Sequence, residues 1–390
     1  MYIRGVAPFG SLNAAKRHRI IGGRHLKHDT EDEKATDMVW RRDGLGMRRR
    51  WPKICGLCGV ILLVALAPLS AMDVEGSVEL GIEKLHGHTS YEIGGLTVVS
   101  GQDNRVESFP YSKLEFPLTG WLVKAGAGLT VADVLKVNLG VKKSIIQDSG
   151  TVEDWDWGYW YLTGRPWARR SSLDIYSNSS GKVDARMGDV SVHWCLDLKD
   201  KIRTGELNEA QLRLGGRCVI QVFDYDAVNN LDQWYPSYPE YATEIENDPD
   251  VTPALKQKVK GHVYNSGDVL TYRVEYRLPF MEGGVSLGVG DRFRLEASLG
   301  YSFLARAEDA DHHLLRGKVS HGSCDGTAVL FTLNSSYVLS ENISIGLDYC
   351  RIAIAATGTQ HQSAPHFSAM VDQHIESDQQ YFGSTIGYRF

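Results

Sequence analysis

Two short acidic segments hold the side chains whose types and spacing could do chemistry. The first is Val152-Glu153-Asp154-Trp155-Asp156-Trp157, and the second is Glu308-Asp309-Ala310-Asp311-His312-His313. On an extended backbone, residues i and i+2 share a face. Asp154 and Asp156 can therefore point into one space, and so can Asp309, Asp311 and His313. A carboxylate beside an imidazole orients the ring and favours its charged form. Packed carboxylates repel one another, so one of them can keep its proton and serve as a general acid or base. Together the two segments could hold and activate a water. Either segment alone also suits a solvated or calcium-binding loop, so the chemistry depends on a fold that brings both to one place.

The elements available to do so are amphipathic strands. Counting back in twos from the end, Phe390, Tyr388, Ile386, Ser384 and Phe382 alternate with Arg389, Gly387, Thr385, Gly383 and Tyr381. One set suits lipid and the other a wet lumen, the pattern of a transmembrane β-barrel strand. Nine earlier strands are predicted over Val74–Glu92, Glu107–Ala125, Val134–Ile146, Val183–Leu198, Gln211–Phe223, Val269–Leu287, Arg292–Ala305, Thr327–Leu339 and Ile343–Ala355. Short connections fall at Thr130–Asp133, Leu198–Glu209, Gly288–Asp291 and Ser340–Asn342. Long ones cover 93–106, 147–182, 224–268, 306–326 and 356–378. The expectation is an all-β fold, a ten-stranded antiparallel transmembrane β-barrel with long extracellular loops. Both acidic segments then fall on its outer rim, at the tops of the third and seventh strands. Trp121, Tyr272, Tyr276, Tyr301, Tyr337 and Tyr349 are candidates for interfacial girdles.

The amino-terminal region fits export. Met47 opens MRRRWPKICGLCGVILLVALAPLSA, with a basic start, an apolar run over 56–66 and a cleavage region near Pro68–Ala71. We read 47–71 as a signal peptide. Residues 1–46 carry no apolar period and read as an upstream extension from a start assigned too early; 72–390 form the barrel. Residues 1–71 hold 13 Lys and Arg and 6 Asp and Glu. Taking them from the totals of 42 and 48 leaves 29 and 42, a balance near −13. So acidic an exported chain disfavours nucleic acid and attracts cationic partners. Four cysteines remain, and hairpin symmetry suggests pairing Cys195 with Cys218 and Cys324 with Cys350. No phosphate-binding loop, zinc cluster or 18-residue apolar span occurs after residue 71.

The sequence resembles the omptin family of outer-membrane proteases across most of 72–390. Val78-Glu79-Leu80-Gly81 through Gly87-His88-Thr89 resembles the family's first strand, and Ser112-Lys113-Leu114-Glu115-Phe116 its S-[KQ]-L-[DE]-W signature. Asp154-Trp155-Asp156-Trp157 matches D-x-D-W. Tyr272 to Phe280 is similar to a Y-x-x-x-[FY]-x-x-P-[FY] strand, Asp309 to His313 matches D-x-D-x-H, and Gly387 to Phe390 resembles the final strand. The resemblance implies that Asp154 and Asp156 form a carboxylate pair and Asp311 and His313 an Asp–His pair. Between them a water would be activated for attack on a peptide bond, without metal or cofactor. Asp309 would recognise a basic side chain, and His312 would be a bystander. Glu92 is the candidate for a second recognition carboxylate, although it sits one position later than an ungapped match requires. The implied setting is the bacterial outer membrane with the site facing the exterior. The implied partners are cationic peptides and outer-membrane lipid, with lipopolysaccharide as an activity requirement and Arg165, Arg169 and Arg170 as candidate contacts. Two other functions share this barrel: a catalytically silent adhesin or invasin, and a porin.

Overall fold

Period-two alternation gives each strand one face for lipid and one for the lumen, and a closed sheet leaves no unpaired edge. The computed structural model describes residues 73–99, 109–198, 207–365 and 367–390. The expected signal peptide over 47–71 and the segment 1–46 lie outside the described residues. Thirteen antiparallel strands form one sheet. They are β1 (Val74–Val99), β2 (Ser112–Pro117), β3 (Gly120–Val131), β4 (Leu135–Ile146), β5 (Asp148–Trp157), β6 (Leu173–Asp197), β7 (Leu207–Trp234), β8 (Val263–Asn265), β9 (Asp268–Val289), β10 (Phe293–His313), β11 (Lys318–Val338), β12 (Ile343–Ala364) and β13 (Phe367–Arg389). β1 pairs with β13 from Ser77 opposite Arg389 to Gly94 opposite Asp372, which joins first strand to last and closes the barrel.

The segments number thirteen where ten strands were expected. β2 and β3 follow one another along β1, and β4 and β5 follow one another along β6. β8 pairs only with the tip of β7. Ten staves therefore circle the barrel, two of them interrupted, at Leu118–Thr119 and at Gln147. Pro117 has no N–H to give the ladder, which accounts for the first break.

Val78, Leu80, Ile82, Met281, Leu299, Leu347, Phe382 and Ile386 face outward and form part of an apolar belt. Turns at 132–134, 290–292 and 339–342 link strands at one end of it. At the other end the strands continue past the belt, where loops were expected over 306–326 and 356–378. β10 runs to His313, β11 starts at Lys318, and β12 and β13 meet near Pro365. Outward positions there are polar, such as Arg306, Glu308, Asp325 and Asp378. The apolar period stops with the lipid while backbone pairing goes on. Tyr272 and Tyr276 are lumen residues rather than girdle residues, 1% and 0% exposed.

Side chains fill the lumen at belt level. Lys142 meets Glu83 at 2.8 Å, Arg217 meets Glu282 at 2.9 Å, Arg213 meets Glu296 at 2.8 Å, and Lys124 meets Asp348 at 2.5 Å. A cavity of about 40 Å³ lies among Lys142, Arg217, Gln221, Leu330 and Tyr381. Above this, Phe116 stacks on Tyr272 at 4.5 Å and packs against Tyr225 at 4.9 Å. This aromatic layer is the floor of the tall end. A larger concavity, about 1030 Å³, lies on the belt among Leu80, Ile82, Ile345, Leu347 and Ile386, away from both acidic segments.

Short helices α1 (Tyr159–Leu162), α2 (Tyr238–Asn247) and α3 (Pro253–Lys258) cap part of the tall end. They share a small core of Trp160, Tyr235, Tyr241, Ile245, Val251 and Val259. The Thr252 side chain accepts from Leu255 N–H at 3.3 Å and starts α3.

Neither expected cysteine pair has bridging register. Cys195 lies opposite Arg213, whereas Cys218 lies opposite Val190 on the other face of the sheet. Cys324 faces Gly358 and Cys350 faces Thr332, so this pair is eight residues apart along the strand, roughly 27 Å. A disulfide needs Cα atoms within about 7 Å. The first hairpin's true register changes the parity of the match, which turns one thiol away from the other.

Candidate active site

β10 carries the second acidic segment on its inner face. Buried and exposed residues alternate along the strand, but Phe303 and Leu304 are both exposed, at 58% and 64%. The pairing shifts by one residue there against both β9 and β11. Below this bulge the outward residues are odd-numbered, Leu299 and Tyr301 among them. Above it the odd-numbered residues turn inward, and Asp309, Asp311 and His313 are all buried. Strict alternation would have pointed all three away from the lumen; the extra residue of the bulge resets the phase.

Asp311 is the hub. Its Oδ2 accepts a hydrogen bond from the Tyr91 hydroxyl at 2.7 Å and lies 2.8 Å from His313 Nε2. Nε2 has no aligned hydrogen-bond partner among the described residues. Tyr91 belongs to β1, across the lumen from β10, and Asp311 is thus fixed between two walls. Below it, Asp309 Oδ2 accepts from Gln373 Nε2 at 2.9 Å. Gly322 lies opposite Asp309, and a Cβ there would come within 1.9 Å of Asp309 Oδ1 and 2.0 Å of Gln373 Oε1. Only glycine leaves room for this pair.

The first acidic segment comes in on β5, through β2. Asp154 pairs with Leu114, which pairs with Tyr91; Asp156 pairs with Ser112, which pairs with Ile93. Both carboxylates therefore sit on the inner face, in the rows that Tyr91 and Ile93 begin. Their fields reach the opposite wall. Burial raises the pKa of Asp154 well above the carboxylate range, and the Asp156 and Asp311 charges add to that rise. Burial and the Arg316 charge lower the pKa of Lys318, opposite His313 on β11, against the pull of Asp311, Asp156 and Asp154. The structure brings the four expected catalytic residues to one chamber.

Their protonation differs with surroundings. Burial alone would raise Asp311, but the neighbouring His313 and the Tyr91 hydrogen bond hold it below its ordinary value. Burial lowers His313 despite the pull of Asp311, and the Lys318 and Arg316 charges lower it further. The ring is thereby kept neutral and able to accept a proton. Burial pushes Asp309 up to about 7, with Asp311 adding to the rise and the Gln373 hydrogen bond opposing it. Asp154 Oδ1, Asp309 Oδ1, Asp311 Oδ1, His313 Nε2 and the Tyr272 hydroxyl are buried atoms with no hydrogen-bond partner among the described residues. Buried polar atoms are seldom left so in native proteins, and clusters of them mark functional sites.

Glu92 is not among these groups. β1 alternates without a break from Val78 through Ile93, so Tyr91 and Ile93 face inward and Glu92 faces outward, between Lys113 and His374. Glu92→Gln is expected to leave any basic-residue selectivity within twofold, measured as kcat/KM for paired peptides differing at one basic residue. His312 also faces outward, opposite Val319. The arginines considered for lipid contact are engaged within the cap. Arg165 meets Asp248 at 3.0 Å, Arg169 meets Glu240 at 2.9 Å, and Arg170 donates to the Tyr161 hydroxyl at 2.7 Å.

Sequence reasoning missed Tyr91, Tyr272, Gln373 and Lys318. Tyr91 occupies the very position where an ungapped match wants the recognition glutamate, which was the signal available. A hydrogen bond to a charged group is worth about 1.5–3 kcal/mol. Tyr91→Phe is therefore expected to lower kcat roughly tenfold with KM unchanged, as Asp311 loses its brace. Steady-state kinetics on a fluorogenic peptide check this.

No protein-family model matches the sequence, and no curated protein matches it. Among solved structures, the outer membrane protease OmpT from Escherichia coli aligns with a TM-score of 0.62 and 12% identity, covering 83% of this chain and 100% of that one. OprG from Pseudomonas aeruginosa aligns at 0.35 with 9% identity, covering 82% and 97%. Ail from Yersinia pestis aligns at 0.24 with 9% identity, covering 82% and 100%. The first of these likenesses is one of fold, that of a bacterial outer-membrane β-barrel; the other two alignments are too loose to add to it.

Proposed function

We propose that the chain is an omptin-like endopeptidase of the outer membrane, with its site facing the cell exterior and its substrates peptides that carry basic residues. The observation that carries this reading is the opposition of Asp311 and His313 on one wall to Asp154 and Asp156 on the other, with unpartnered buried oxygens and Nε2 between them. In the proposed reaction a water is held by the carboxylate pair and by His313. The His313 ring takes its proton as the oxygen adds to the scissile carbonyl carbon. The carbonyl π electrons move onto oxygen. When the intermediate collapses, the C–N bond breaks and the same proton passes from His313 to the leaving amine. Asp311 steadies the transient imidazolium, as a carboxylate does for a catalytic histidine.

Basic selectivity follows from charge. Four carboxyl groups, Asp154, Asp156, Asp309 and Asp311, line the chamber, and burial keeps protons on Asp154 and Asp309 that an incoming cation can displace. A guanidinium or ammonium brought against Asp309 would displace its proton and pair with the free Oδ1. The filled lumen and aromatic floor support a site closed below rather than a pore. The test is refolded protein in lipopolysaccharide with an Arg-Arg fluorogenic peptide. Cleavage by the wild type and its loss in Asp156→Ala support the reading. No cleavage by the folded wild type favours a non-catalytic barrel acting by adhesion.

A further inference from the structure

The proposed reaction places negative charge on the carbonyl oxygen in a chamber already lined with carboxylates. Something must offset it. Apart from carboxylates, the groups facing the chamber among the described residues are an imidazole, phenols, amides and two cations, Lys318 and Arg316. Arg316 is exposed in the turn between β10 and β11, its N–H donating to the His313 carbonyl at 3.2 Å. Lys318 begins β11, directly opposite His313 on the inner face. Side chains paired this way across an antiparallel ladder have Cβ atoms about 5 Å apart. The proton acceptor and the cation are therefore immediate neighbours.

The other lumen cations are neutralised by contact. Lys124, Lys142, Arg213 and Arg217 each have a carboxylate within 3.0 Å. Lys318 is the exception. It is partly buried and lies within the field of Asp311, Asp156 and Asp154, yet among the described residues no carboxylate comes within 4.0 Å of its Nζ. Burial and the Arg316 charge lower its pKa from the ordinary lysine value, and Asp311, Asp156 and Asp154 oppose that fall without occupying the ammonium in a contact pair.

We propose, on the protease reading above, that Lys318 is a catalytic residue whose Nζ hydrogen-bonds the oxyanion of the tetrahedral intermediate. It neither gives nor takes a proton. No contact carboxylate has to be displaced from it, so stabilising the developing oxyanion needs little reorganisation. The arrangement divides the labour across one rung of the hairpin: His313 handles the proton of the attacking water, and Lys318 receives the charge that attack creates.

The experiment compares Lys318→Met and Lys318→Arg with the wild type in lipopolysaccharide, with folding read by heat-modifiable gel mobility. Removing one oxyanion donor typically lowers kcat about 100- to 1,000-fold. Lys318→Met is expected to show that loss with KM unchanged. Lys318→Arg, which keeps a cation and tests the site should the methionine variant fail to fold, is expected to stay within about tenfold of wild type. A peptidyl phosphonate, whose tetrahedral anion mimics the intermediate, should lose affinity for Lys318→Met by a similar factor, while binding of the cleaved product peptide is unchanged. The acid limb of the pH profile should also move to higher pH, since the Lys318 charge no longer opposes protonation of His313. A purely structural role would not produce the phosphonate effect. An active wild type with wild-type kcat in Lys318→Met, or a loss confined to KM, overturns this proposal alone. A folded wild type that cuts no peptide overturns the protease reading and this one with it.

Discussion

Alanine in place of His313 is expected to slow peptide cleavage by about a hundred- to ten-thousandfold while leaving the barrel folded, the range a positioned general base contributes. The ring's Nε2 is a buried basic atom without a hydrogen-bond partner among the described residues. Folding should survive because His313 sits on the last rung of β10, beyond the apolar belt, where backbone pairing with Lys318 and Leu270 persists whatever the side chain. Asp156→Ala is expected to match it in direction. The pH profile gives an independent reading of the same group. Burial lowers His313 from the ordinary histidine value near 6.5. Activity should therefore persist somewhat further into acid than an unperturbed histidine allows and fall as the ring protonates. Wild-type cleavage of an Arg-Arg peptide by folded His313→Ala protein would rule out this mechanism.

Asp309→Asn is expected to stabilise the folded chain at alkaline pH and to do little at pH 4. The Asp309 carboxyl is 6% exposed, and its folded-state pKa is raised to about 7. Unfolded, it would titrate near the ordinary 3.8. Between those values the folded state binds more protons than the unfolded one, so stability falls as pH rises through the window and stays reduced above 7. The gap of about 3 pH units corresponds to about 4 kcal/mol at pH 9, the scale of the penalty for a buried carboxylate with one unpartnered oxygen. Asparagine keeps the Gln373 hydrogen bond and removes the charge, so the penalty should disappear. Urea unfolding in detergent micelles at pH 4 and pH 9 measures it. Equal midpoints for variant and wild type at pH 9 would contradict it. The same substitution should weaken selectivity for a basic residue above pH 7, where the wild-type carboxylate is charged. The residue that selects substrate would then be one the fold holds at an energetic cost.

Much of the architecture was legible because lipid imposes it. A membrane-facing residue must be apolar, and period two makes that visible along the chain. The phase from Phe390 back to Phe382 and from Val78 to Ile82 was readable on those grounds alone. The outward aim of Glu92 was present in the same parity, since β1 never breaks phase. Pairing Asp154 with Asp156, and Asp311 with His313, needed only the shared face of positions two apart. Beyond the belt the signal ended. Strands rising into water need no apolar face, so β10 to β13 read as loops although their backbones stay paired. The bulge at Phe303–Leu304 could not be read from alternation, because two adjacent apolar residues fit either phase until the pairing with β9 and β11 fixes one. That single extra residue decides whether Asp309, Asp311 and His313 meet the lumen. The contacts that complete the site, Tyr91 to Asp311 across 220 positions and Gln373 to Asp309 across 64, depend on closure of the barrel. Curling of the sheet into a barrel brings such distant positions within hydrogen-bonding reach, so the sequence named the chemistry and the tertiary structure decided where it meets.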